Sequence, residues 1–131
     1  MKNLYTACVF LTMLFALPTQ TIAENPTAIS NIDESARYRL YPTTNMWTFL
    51  KLDTRNGRIW QVQWAFEKNE RFETALSSYP IVLKSEEVNG RFILYPTTNN
   101  YNFIMLDQIN GKTYQVQWSH NIDERIVVPI E

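Results

Sequence analysis

The run Asn56-Gly57-Arg58-Ile59-Trp60-Gln61-Val62-Gln63-Trp64 decides how this chain is read. From Trp60 onward, apolar and polar residues alternate: Trp60, Val62, Trp64 and Phe66 against Gln61, Gln63 and Ala65. A period of two marks a half-buried strand, here with aromatic residues toward the core and glutamines toward solvent. Asn-Gly ahead of it supplies the positive φ that a tight hairpin demands, so a second strand must enter the turn from the other side. Residues 47–53 fit that strand. Trp47 and Phe49 fall on one face and Leu50 and Leu52 on the other, as in a central strand covered on both sides. Residues 38–41 form an earlier strand closed by Pro42, which cannot donate to a ladder. Residues 71–76 form a weaker fourth.

The chain then repeats itself. Residues 37–76 laid over residues 91–130 give 18 identities in 40 positions without a gap. Leu40-Tyr41-Pro42-Thr43-Thr44-Asn45 becomes Leu94-Tyr95-Pro96-Thr97-Thr98-Asn99, and Gln61-Val62-Gln63-Trp64 becomes Gln115-Val116-Gln117-Trp118. Asp53, Asn56-Gly57 and their partners Asp107, Asn110-Gly111 hold the same places between strands. Such self-similarity is an internal duplication. The expected fold is all-β: two antiparallel meanders of three or four strands each, packed as a sandwich or barrel and related by a pseudo-twofold axis. Their inner faces are expected to meet through Trp60, Trp64, Tyr114 and Trp118. A spacer, residues 77–90, separates the repeats and has room for one short extra strand at 81–83.

The first 23 residues read as an address rather than as structure. Lys2 carries their only charge, residues 4–17 are almost wholly apolar, and the segment ends Thr21-Ile22-Ala23. A basic start, a short apolar run and a small-x-Ala end make a secretory signal peptide. The run is shorter than the roughly 20 residues that span a bilayer, so no lasting membrane anchor is expected. The lone Cys8 lies inside the run, where a lipoprotein cysteine would follow it. Residues 24–36 lack periodicity and read as a loose arm, leaving 37–131 as a single duplicated domain of an exported, periplasmic or secreted protein.

Composition narrows the function. The 131 residues carry 12 Lys and Arg against 13 Asp and Glu, a formal net charge of -1, which lacks the basic excess of a nucleic-acid binder. One cysteine forbids an internal disulfide framework, and one histidine argues against a histidine-built metal site. His120 replaces Phe66 in the core-facing register near a strand end, has no nucleophile beside it, and reads as a half-exposed strand-end residue. No Gly-x-Ser-x-Gly elbow or phosphate-cradling glycine loop is present. Asp53 and Asp107 are explained by turn chemistry, since an Asp accepts amide hydrogens two residues on. The expectation is therefore a protein that is not an enzyme and has no cofactor and no metal.

The pattern Tyr-Pro-Thr-x-Asn, Leu-Asp, Asn-Gly, Gln-Val-Gln-Trp resembles tandem units of small exported bacterial proteins, of Bacteroidetes type, with no assigned activity. The resemblance covers residues 37–130. The strand–turn–strand Leu-Asp-x-x-x-Gly-x-x-Trp also resembles one edge of a quinoprotein-type propeller blade. Two blades cannot close a ring, and neither resemblance implies an active site.

What remains is a binding surface. Trp47 and Tyr101 follow the loops of Asn45 and Asn99; such aromatics ordinarily pack a core, and when exposed they stack on sugars or anchor a protein partner. Gln61, Gln63, Gln115 and Gln117 form amide rows whose ordinary role is a solvated sheet face. The leading expectation is a non-catalytic binding protein engaging an envelope or extracellular macromolecule, such as an inhibitor or immunity protein with a protein partner. Glycan recognition through Trp47 and Tyr101, or a structural envelope role, is the alternative, and a small hydrolase using scattered carboxylates comes third. The oligomeric state stays open.

Overall fold

The structure, a computed structural model, describes residues 35–131. The expected signal peptide, and the expected arm up to residue 34, lie outside the described residues. Two four-stranded antiparallel meanders follow one another along the chain. The first contains β1 (Tyr38–Pro42), β2 (Thr48–Asp53), β3 (Ile59–Gln63) and β4 (Phe72–Ala75). The second contains β5 (Phe92–Pro96), β6 (Asn102–Asp107), β7 (Thr113–Gln117) and β8 (Ile126–Pro129). Each sheet keeps its strands in sequence order, with β2 and β6 central as their two-sided apolar pattern requires. The fold is all-β, and the two packed sheets make a sandwich.

Register is the same in both copies. Leu50 lies opposite Gln61 and Gln61 opposite Thr74; Ile104 lies opposite Gln115 and Gln115 opposite Val128. The faces they bury are not the same. The first sheet buries Thr48, Leu50, Leu52, Ile59 and Gln61, while the second buries Phe92, Leu94, Phe103, Met105, Tyr114, Val116 and Trp118. In repeat terms these are opposite faces, because Phe103 and Val116 correspond to Phe49 and Val62, which stand on the outside of the first sheet. The front of one sheet therefore packs on the back of the next, and the pseudo-twofold meeting of like faces is corrected.

The two faces of the first sheet carry different charged groups. Lys51 and Glu73 form an ion pair on the outer face of the first sheet, where the second sheet has Met105 and Val127 on its inner face. The opposite, Leu50–Leu52 face carries Arg39, half-buried opposite Leu52. Trp60 is half-buried on the outside and Trp64 is 38% exposed, whereas Tyr114 and Trp118 are buried as expected. The alternation rule holds in the second copy and inverts in the first: Gln61 is fully buried, and neither its Nε2 nor its Oε1 finds a hydrogen-bond partner.

The sheets are joined at the β2–β3 hairpin. The Thr54 carbonyl accepts from Phe92 N at 2.8 Å, and its Oγ1 accepts from Gly90 N at 3.0 Å while donating to the Ala36 carbonyl at 2.8 Å. Asn56 adds its carbonyl to Ile81 N at 2.7 Å and its Nδ2 to Glu87 at 2.9 Å. This contact diverts the spacer, so the short strand expected at 81–83 does not form. Ile81 and Val82 pack against the core, and a 3₁₀ turn at Lys84–Glu86 leads on to β5. In both hairpins the Gly takes the positive φ, 77° at Gly57 and 76° at Gly111, while no other described residue type does so. Asn56 and Asn110 instead accept through their side chains from Arg58 N and Lys112 N.

Two outcomes follow from this arrangement. A Cβ at Gly57 would meet Ile81 Cγ1 at 2.6 Å and Phe92 Cδ1 at 3.3 Å, whereas at Gly111 it would meet nothing within 4 Å. Both Gly→Ala changes lose the freedom of left-handed backbone, a cost of about 1–2 kcal/mol, and Gly57→Ala adds a collision. Thermal melts should show Gly57→Ala losing at least twice as many degrees as Gly111→Ala; equal losses would mean the first hairpin is not sealed. Gln61→Met removes an unsatisfied buried amide at similar volume, and should raise stability by about 1–2 kcal/mol in urea unfolding. A loss would mean that the amide has a partner.

Candidate functional site

Each repeat builds the same turn after its first strand. Thr43 Oγ1 donates to the Thr48 carbonyl at 2.9 Å and accepts from Asn45 N at 3.1 Å; Thr97 does the same with the Asn102 carbonyl at 2.9 Å and Asn99 N at 3.1 Å. Asn45 Oδ1 accepts from Trp47 N and Asn99 Oδ1 from Tyr101 N, both at 2.9 Å. These asparagines thus close turns, and what they present is the aromatic residue two positions on.

That aromatic ring is held against the tryptophan that follows the third strand of its repeat. Trp47 sits 4.5 Å from Trp64 between ring centres at 50°, and Tyr101 sits 5.1 Å from Trp118 at 45°. The indole N–H groups are tied to the same turns, Trp64 Nε1 to the Met46 carbonyl at 2.8 Å and Trp118 Nε1 to the Asn100 carbonyl at 3.2 Å. Beside each pair lies a hollow. The first, about 400 Å³, is lined by Trp47, Gln63, Phe66 and Glu70 among others. The second, about 210 Å³, is lined by Asn99, Tyr101, Gln117, Trp118, His120 and Glu124 among others. Trp47 and Tyr101, Gln63 and Gln117, Phe66 and His120, Glu70 and Glu124 are equivalent positions of the repeat. The molecule therefore carries one kind of hollow twice: an aromatic wall, an amide and a carboxylate.

The floor beneath is fixed by hydrogen bonds. Arg71 Nε and Arg125 Nε donate to the carbonyls of Ala65 and Ser119, each at 2.8 Å. In the second copy Glu124 accepts from Ser119 Oγ at 2.7 Å, and Gln117 Nε2 donates to the Glu124 carbonyl at 2.9 Å.

Of the residues singled out from sequence, Trp47, Gln63, Asn99, Tyr101 and Gln117 come together at these hollows. Tyr101 is 49% exposed and Trp47 half-buried. Gln61 is corrected to a buried position between the sheets, because the first sheet turns its other face outward. Gln115 lies on the outer face of the second sheet, donating to Asn102 Oδ1 at 2.9 Å. His120, expected as a half-exposed strand-end residue, stands on the exposed rim, its ring edge-on to Trp118 at 5.7 Å and 82°. Glu70, Glu124 and Phe66 were not singled out for the site. Glu70-Arg71 and Glu124-Arg125 are identical in the two repeats, and that identity was the available signal.

The recurring carboxylates Asp53 and Asp107 stand elsewhere. Asp53 accepts from Arg55 N at 3.1 Å and Asp107 from Ile109 N at 3.0 Å, the turn role expected of them. Each is also paired with the arginine that opens its repeat. Arg91 grips Asp107 through Nε and Nη2 at 3.0 and 2.8 Å, with side-chain exposures of 6% and 0%. Arg37 meets Asp53 at 3.2 Å but is 45% exposed. Burial works to raise the Asp107 pKa, yet the Arg91 fork and the amides of Ile109 and Asn110 outweigh it and hold it below the ordinary 3.8. Burial, with the Asp107 charge beside it, pushes the Tyr114 hydroxyl up.

Among the described residues no group of three or more His, Cys, Asp or Glu is placed to hold a metal ion, and no helix is long and apolar enough to cross a membrane. No protein-family model matches the chain, no curated protein matches its sequence, and no solved structure matches its fold.

The Arg91–Asp107 pair sets a pH dependence. A carboxyl held below its unfolded value stabilises the fold above about pH 4 and loses that contribution as pH falls further. Arg91→Ala, which leaves Asp107 buried and unpaired, should cost about 3–5 kcal/mol at pH 7, against under about 1 kcal/mol for the exposed Arg37→Ala. The gap between wild type and Arg91→Ala should narrow on acidification from pH 7 to pH 3 in urea melts. A gap independent of pH would remove the charge from the explanation.

Proposed function

We propose that this is a non-catalytic binding protein, exported from the cytoplasm, and that its ligand is carbohydrate taken by the two repeated hollows. The observation that carries this reading is the doubled site itself: an aromatic wall beside a glutamine and a glutamate, at equivalent positions in both copies. An aromatic ring suits the apolar face of a sugar, while an amide and a carboxylate at its edge match hydroxyl donors and acceptors. Two such sites on one rigid scaffold suit a polymer of repeated units, because the second contact is made at high effective concentration. The carboxylates common to both hairpins are committed to turns and arginines, which supports a binding role over a catalytic one.

The copies are not interchangeable. The rim of the first hollow carries Met46 and Phe66, 66% and 79% exposed, where the second has Asn100 and His120. That apolar rim favours a second reading, a protein partner anchored at the first hollow, as an inhibitor or immunity protein would require.

Titration of soluble oligosaccharides chosen from a glycan array, followed by tryptophan fluorescence, tests the two. Tyr101→Ala should weaken sugar binding at least tenfold and leave the melting temperature within a few degrees, since the ring is half in solvent. Trp47→Ala should lower both, because its ring is half-buried and packs on Phe66 as well as Trp64. Absence of any sugar response, with Phe66→Ala and Met46→Ala abolishing capture of a protein ligand, would overturn the carbohydrate reading in favour of the second.

A further inference from the structure

The interface between the two sheets is heterologous, and it leaves each of its halves displayed a second time on the outside. The inner face of the first sheet carries Tyr41, Leu50, Leu52, Ile59 and Thr74; the equivalent residues of the second sheet, Tyr95, Ile104, Leu106, Thr113 and Val128, face outward. The inner face of the second sheet carries Phe92, Leu94, Phe103, Tyr114 and Val116; their equivalents Tyr38, Leu40, Phe49, Trp60 and Val62 face outward on the first. Leu40 is 61% exposed where Leu94 is 3% exposed, and Tyr95, Val128 and Ile130 are 49%, 40% and 48% exposed on the far side. The joint behaves likewise. The β2–β3 hairpin is sealed by Ile81 and Phe92 at Gly57, whereas the β6–β7 hairpin leaves Gly111 open and Ile109 61% exposed.

We propose that copies of this chain associate head to tail, the outer face of the first sheet of one copy packing on the outer face of the second sheet of the next, and that the series closes into a ring. The occupant is a second copy because this chain already shows both halves of the contact fitting each other across its own centre. The polar groups agree with this. Lys51 is paired with Glu73 and lies 4.8 Å over the Trp60 ring, Arg58 lies 5.0 Å over the same ring, and the facing sheet brings the amides Asn102, Gln115 and Gln117 to meet them. A heterologous contact with a fixed turn per sheet closes on itself or grows without end. Four-stranded meanders stacked front to back close at about four to eight sheets, which two-sheet chains supply as two, three or four copies.

Native mass spectrometry and light scattering of the purified protein at micromolar concentration test this. The expected result is one species of two, three or four copies. Leu40→Lys blocks the outer face of the first sheet, and Ile104→Lys that of the second; each variant alone should be monomeric. Mixed, they should pair one to one and stop, since each retains the face the other lacks. Circular dichroism melts confirm that the variants are folded, and Val128→Lys, at an exposed position, replaces Ile104→Lys if the latter is not. A monomeric wild type overturns the proposal, as does an open ladder of sizes. Self-association of either folded single variant overturns it too, because that requires like faces to meet.

Discussion

Thr54 is the residue through which the two halves of this molecule become one. Its carbonyl and hydroxyl take the amides of Phe92 and Gly90, and the hydroxyl also binds the Ala36 carbonyl just ahead of β1. Four otherwise unpaired backbone groups are satisfied at one buried position, which is what an interior junction between sheets requires. A four-stranded meander with an apolar face gains by covering that face with another element. By fixing where β5 begins relative to the β2–β3 hairpin, Thr54 decides which face of the first sheet is covered. In the second repeat the corresponding residue is Gln108, which binds Arg91 and Gly90 within its own neighbourhood.

Much of the architecture was legible in sequence because it depends on short-range constraints. Proline at strand ends, Asn-Gly between strands and the period-two runs are local signals, and they placed all eight strands and both hairpins near their true positions. The facing of the first sheet was not legible, because its two faces are almost equally apolar. A period of two says that faces alternate; it does not say which face is inner when Leu50 and Leu52 oppose Phe49, Trp60 and Val62. What fixes the facing is the junction of Thr54 with Phe92 and Gly90, a contact between the repeats that no reading of one strand at a time reveals. The spacer was misjudged for a related reason: Ile81 has the composition of a strand, but its amide is taken by Asn56 from another part of the chain.

The candidate site was half legible. Equivalent aromatics after equivalent polar loops drew attention to Trp47 and Tyr101, and both stand at hollows. The carboxylates Glu70 and Glu124 belong to 3₁₀ turns too short to carry a periodic pattern. Only comparison of the repeats with each other would have raised them. The divergence between Phe66 and His120 also becomes meaningful only when both are seen on one rim. Duplication preserved the turn, the stacked rings and the supporting arginine, and changed the groups that a bound molecule would touch first.

The edges of the sheets set how this protein can meet others. β1 and β5 end in Pro42 and Pro96, and β8 carries Pro129 opposite Tyr114. β4 has four residues, with Glu73 among them. Short borders interrupted by proline or charge are poor templates for a further strand. A chain this rich in aromatic and β-branched residues would otherwise be prone to amyloid-like extension during folding, when neither sheet yet covers the other. With lateral growth discouraged, the broad faces are left as the places where contact is favourable. Stickiness is thereby directed along a single axis, and a hazard of β-rich sequences becomes a geometrically defined mode of recognition.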